Sequence, residues 1–92
     1  HLFLIPGLVG LAVLDAGVMG LPIVTTDYPY HSPEIAYLKD GHNGIISRPW
    51  TDATAYSNAV IDLLTGDSTK LEAMRHAARY MAMQGVLNAL DV

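Results

Sequence analysis

Cysteine is absent from all 92 residues, which excludes disulfides and thiolate-held zinc. Charge is scarce as well. Only 15% of residues are Asp, Glu, Lys or Arg, against about a quarter in an ordinary soluble domain, so much of the chain is expected to be buried. Positive charge is scarcest: the fixed cations Lys39, Arg48, Lys70, Arg75 and Arg79 are scattered and the net charge is −4. Nucleic-acid binding therefore lacks its electrostatic basis, and no nucleic acid is expected as a partner. Long apolar runs are missing too, although 51% of residues are hydrophobic. Gly7, Gly10, Gly17, Gly20 and Pro22 interrupt every such stretch before about 18 residues accumulate, so no segment spans a bilayer. The start lacks the basic region and small-residue cleavage site of a signal peptide. A cytoplasmic location is the default expectation.

Several fingerprints are absent. There is no Gly-x-Gly-x-x-Gly dinucleotide motif, no Walker phosphate loop and no serine-hydrolase elbow. Asp27-Tyr28-Pro29 is not the Asp-x-Asp that holds a divalent ion with a diphosphate. His31 and Glu34 offer at most two metal ligands where structural zinc sites need four, and no metal is expected. A chain this short forms at most one domain, and its apolar content exceeds what such a domain buries by itself. It opens on His1, directly in an apolar run, and is read as a fragment: one partial domain over residues 1–92.

What is present alternates. Leu2-Phe3-Leu4-Ile5 is an apolar run stopped by Pro6-Gly7, and Pro22-Ile23-Val24-Thr25-Thr26 is another, rich in β-branched residues; both read as buried parallel strands. Between them Val9 to Met19 has helical length, with Gly20 as the residue that ends it. Ser32-Pro33-Glu34 reads as an N-cap with proline at the first helical position, opening a short helix through Leu38. Asp40 to Gly44 is dense in turn formers, and Ile45-Ile46-Ser47 fits a third strand. Thr51 or Asp52 caps a helix with Tyr56, Val60, Leu63 and Leu64 on one face. Gly66 stops it. Asp67 or Ser68 caps another, with Leu71, Met74, Ala78, Met81 and Ala82 on one face; the tail from Gly85 to Val92 is ambiguous. The pattern implies an α/β class: a partial Rossmann-like parallel sheet with flanking helices.

The chemistry gathers in the first loop, Pro6-Gly7-Leu8-Val9-Gly10-Leu11. Glycines at positions 7 and 10 let backbone amides come close to a ligand, and the helix that follows points its positive end at the same place, a combination suited to an anionic group. The plainer alternative is that both glycines serve only a tight turn and close helix–strand packing. Asp15 lies in an apolar helix and needs a partner or an edge position, facing either ligand or solvent. Glu34 in a first helical turn is favourable with no ligand at all. His31 follows a strand where α/β sheets place ligands, which makes it a candidate phosphate donor, but the incidental reading of a loop histidine is preferred. His42 in a turn and His76 on a helix surface need no function.

The run Pro-Gly-x-Val-Gly-Leu, then Leu-Asp-Ala, Gly-Leu-Pro-Ile-Val-Thr-Thr-Asp, Ser-Pro-Glu-Ile and Asp-Gly-x-Asn-Gly-Ile-Ile, followed by two helices, resembles the second half of the donor-binding domain of retaining GT-B glycosyltransferases of the group 1 type. The likeness runs from about Leu4 to about Arg79, and the order and spacing of the pieces carry it. In that family two glutamates separated by seven residues bracket a Gly-Leu pair and hold the nucleotide sugar. Aligned on Leu14-Asp15-Ala16, the second glutamate falls on Asp15, the first on Gly7, and the pair on Gly10-Leu11. The resemblance implies that Gly10 and Leu11 give amides to the diphosphate and that Asp15 accepts from the ribose hydroxyls. It places Gly7, Leu8 and Val9 in the same substrate-binding loop. Gly7 has no side chain to reach the sugar, so contacts from that position are through backbone or water, as in a divergent branch.

By that resemblance the chain is part of a glycosyltransferase of hexosyltransferase type, binding a nucleotide-sugar donor for transfer to an acceptor such as a growing polysaccharide. No cofactor is implied beyond the donor substrate itself. The N-terminal acceptor-binding domain, and any peripheral membrane association, are assigned to parts outside these residues. The alternatives are a nucleotide-sugar epimerase or phosphorylase of the same fold, and a non-catalytic α/β interaction module.

Overall fold

The computed structural model describes residues 2–7, 9–10 and 12–90. Its elements run β1 (Phe3–Leu4), α1 (Ala12–Val18), β2 (Ile23–Thr26), a 3-10 helix (Pro33–Tyr37), β3 (Gly44–Ser47), α2 (Ala53–Thr65) and α3 (Ser68–Leu90). The strands form a parallel sheet in the order β1-β2-β3, with Phe3 opposite Ile23 and Val24 opposite Ile45. This is the partial Rossmann-like α/β sheet with flanking helices that the alternation predicts.

The central strand explains the sheet. All four residues of β2 are buried, and successive side chains point to opposite faces. Ile23 joins Val9, Val13, Ala16, Leu38 and Met81, with Ile46 packed alongside. Val24 joins Leu63 and Met74, with Ile45, Tyr56 and Val60 beside it. The first face is covered by α1 and the 3-10 helix, the second by α2, and α3 contributes to both. Each helix is thus held by an apolar stripe that the sheet would otherwise expose to water. Among the described residues no helix is long and apolar enough to cross a membrane.

Local chemistry sets the element ends. Asp52 caps α2 by accepting from the Ala55 amide at 2.9 Å, and Asp67 does the same for α3 from Thr69 at 2.8 Å, as the sequence predicts. Gly20 adopts φ +70° just past α1, a conformation that disfavours any residue with a Cβ. Buried Asn43 ties the turn before β3, accepting from the Lys39 amide at 2.7 Å and donating to the Tyr37 carbonyl at 2.9 Å.

Five expectations change. Strand β1, expected to be buried, is exposed, because among the described residues it is the edge of the sheet with only β2 beside it. Helix α1 starts at Ala12, not Val9, because both backbone polar groups of Val9 are bound outside the helix, to His31 and Ser32. The segment after Ser32 is a 3-10 helix, and Ser32 makes no side-chain cap; its hydroxyl lies beside Gly10 instead. Leu64 is exposed while Leu63 is buried: at 100° per residue, seven steps from Tyr56 return to the buried stripe and eight overshoot it. The tail from Gly85 onward continues α3 as far as Leu90.

Candidate functional site

The glycine loop leaves the carboxyl end of β1, and the segment 27–32 leaves the carboxyl end of β2 beside it. In parallel α/β sheets this is the end where ligands bind. The two segments are laced together. The Thr26 hydroxyl donates to the Pro6 carbonyl at 2.7 Å, and the Ser32 amide donates to the Val9 carbonyl at 2.9 Å. The Val9 amide donates to Nδ1 of His31 at 2.8 Å, which leaves the imidazole proton on Nε2, 2.7 Å from the Thr26 carbonyl. His31 is therefore neither an open phosphate donor nor incidental: both ring nitrogens are occupied in holding the loop.

The expected site residues divide accordingly. Val9 is fully buried and its amide donates to His31, so it anchors the loop. Gly10 sits at the end of the lacing, where its carbonyl accepts from the Val13 amide at 3.2 Å and opens the first turn of α1. Its own amide and that of Gly7 have no hydrogen-bond partner among the described residues. Leu8 and Leu11 lie outside the described residues. Asp15 is exposed on α1 and so avoids the desolvation cost that burial would impose.

Among the described residues nothing in the packing demands either glycine. Both lie outside the left-handed region, and among the described residues a Cβ added at Gly7 meets nothing within 4 Å. At Gly10 it meets only the Ser32 side chain, at 3.5 Å or more, which is an ordinary contact. The contrast is Gly17 in α1, where a Cβ falls 2.7 Å from both the Ala78 carbonyl oxygen and the Ala82 Cβ of α3. Close packing explains Gly17 and leaves Gly7 and Gly10 unexplained.

A family model described as glycosyl transferases group 1 matches residues 1–66. The chain belongs to this family. No curated protein and no solved structure gives a match. The matched span covers the whole sheet, the laced loop and α2, and the family implies a nucleotide-sugar donor.

Sequence reasoning missed how the chain braces its loop. The signal was the run Thr25-Thr26-Asp27-Tyr28-Pro29-Tyr30-His31-Ser32, whose polar groups reach back over about 20 residues. It also missed an aromatic cluster around Tyr28, which meets Tyr30, His31 and Trp50 edge to face at centroid distances of 5.6, 5.7 and 5.3 Å. Glu34 stays in the first turn of the 3-10 helix, half-buried. His42 and His76 are exposed. Among the described residues no three of His, Asp or Glu gather as a metal cluster. A cleft of about 400 Å³ lies between the segment 36–43 and α3, next to the amino end of β3 and so at the wrong end of the sheet for the ligand of an α/β fold.

Proposed function

We propose that the loop from Gly7 to Leu11 holds the diphosphate of a nucleotide sugar, and that the chain is the donor-binding half of a domain in a longer hexosyltransferase acting on a growing polysaccharide. One observation carries this. Gly7 and Gly10 are the two glycines in the loop, no packing among the described residues calls for either, and an open backbone that a bulky anion can approach accounts for both.

The chemistry follows from position. As the bond between the sugar and the nucleotide diphosphate breaks, negative charge collects on the departing phosphate oxygens. Fixed amide dipoles aimed at those oxygens stabilise that charge without reorganising. Gly10 and the first turn of α1 supply such dipoles, and Asp15, exposed in that same first turn, accepts from the ribose hydroxyls. Cations, the acceptor site and any membrane attachment belong to the rest of the protein, whose location we take to be cytoplasmic.

The test is titration of the intact protein with UDP, GDP and ADP. Gly10→Val should weaken the preferred nucleotide at least tenfold, about 1.4 kcal/mol, while Gly10→Ala folds normally and binds with intermediate affinity. Asp15→Asn should cost about 1 kcal/mol, because a neutral hydrogen bond replaces a charge-assisted one. Unchanged affinity in Gly10→Val with circular dichroism intact removes the phosphate role from the loop. Preference for a sugar phosphate over every nucleotide diphosphate moves the reading to a phosphorylase.

A further inference from the structure

We infer that His31 is a positioning residue for the donor, a neutral imidazole that sets the loop's shape by tying the Val9 amide to the Thr26 carbonyl. The inference deepens the reading of the loop as a diphosphate site and rests on it.

Three observations converge. The Val9 amide can donate to Nδ1 only when that nitrogen carries no proton, so the bond at 2.8 Å selects the Nε2–H tautomer. That tautomer then has its one proton directed at the Thr26 carbonyl, 2.7 Å away. The ring is further held by the edge of Tyr28, with centroids 5.7 Å apart. Val9 itself is rooted in the core, fully buried among Val13, Ala16 and Ile23. One side chain thus connects the end of the central strand to the residue immediately before Gly10. A shift of the Val9 amide displaces the backbone that leads into Gly10, and a displacement of about 1 Å in a binding group is enough to degrade a phosphate contact.

Without His31 the fold keeps two other links between the segments, Thr26 to Pro6 and Ser32 to Val9. Loss of the imidazole therefore loosens the loop without unfolding the domain.

Amide side chains separate the two bonds. Asparagine places an acceptor oxygen where Nδ1 stands and keeps the Val9 bond; glutamine places a donor nitrogen where Nε2 stands and keeps only the Thr26 bond. In the intact protein His31→Ala and His31→Gln should raise the donor KM about five- to tenfold with kcat little changed, and His31→Asn should recover most of the loss. A role confined to stability would lower Tm in all three and leave KM alone. Wild-type KM in His31→Ala, or recovery by Gln equal to that by Asn, overturns the inference. Amide exchange at Val9 in the same proteins is a readout independent of nucleotide: faster exchange in Ala and Gln than in wild type and Asn supports the tie, and equal protection in all four refutes it. If the wild type binds none of UDP, GDP and ADP, the donor-site reading is what fails, and exchange at Val9 still decides whether His31 holds the loop.

Discussion

At the scale of single residues the backbone's needs were less legible than the residue types. Gly7 and Gly10 were visible as glycines, and sequence alone favoured a ligand role with a packing role as the plainer alternative; the space around each sets them apart from Gly17. His31 was visible as a histidine at a strand's carboxyl end, yet its partners lie 5 and 22 residues away in the chain, a pairing no local pattern encodes. Tyr56 illustrates the same gap with a measurable outcome. It was read as one member of an apolar stripe, and its hydroxyl donates to the Val24 carbonyl at 2.6 Å, clamping α2 to the central strand. Burial pushes its pKa above the usual 10. The protonated form is therefore favoured in the folded state, so this contribution to stability is full below about pH 10 and is lost as pH rises through the higher folded value. Tyr56→Phe should cost about 1 kcal/mol at neutral pH; the Val24 carbonyl keeps a second donor, the Ile5 amide at 3.1 Å, which limits the penalty. Denaturation curves of the two proteins should converge above pH 10, and a difference that stays constant to pH 11 contradicts the assignment.

At the scale of elements the sequence was most informative where hydrophobic period and caps agree. The stripe Leu71, Met74, Ala78, Met81, Ala82 is buried or half-buried as expected, and Asp52 and Asp67 cap as expected. It was least informative where a tertiary bond overrides local preference, as at the start of α1, where binding of Val9 by His31 and Ser32 postpones the helix to Ala12. How α1 meets α3 was legible only in part. Ala16 and Gly17 were visible as small residues, but the closeness that would put a Cβ at Gly17 2.7 Å from Ala78 and Ala82 depends on a helix more than 60 positions away. Gly17→Ala should therefore destabilise by about 1–3 kcal/mol despite alanine's better helix propensity, because a backbone carbonyl cannot move aside as a flexible side chain would. Calorimetry of the variant in the intact protein checks this; a rise in Tm would mean that the two helices are spaced more widely than described.

At the scale of the whole molecule, three parallel strands were legible from their β-branched and apolar runs, and so was their α/β setting. β1 is only two residues long, with Phe3 37% and Leu4 50% exposed, and it pairs on one side alone among the described residues. An apolar edge of that kind invites another strand. The 92-residue chain by itself should accordingly self-associate, and on the proposed reading it should transfer no sugar, since groups that bind only the donor cannot orient two substrates. Sedimentation as a compact monomer at high concentration, or any turnover with a nucleotide sugar, contradicts this. The lacing of the loop bears on how the site comes into being. Val9 and His31 meet across a span of 22 residues, so the glycine loop has no fixed shape until β2 has docked and the chain beyond it has turned back. A peptide ending before β2 would carry both glycines and none of the geometry, and local opening of the 27–32 segment would erase the proposed anion site while leaving most of the helices intact.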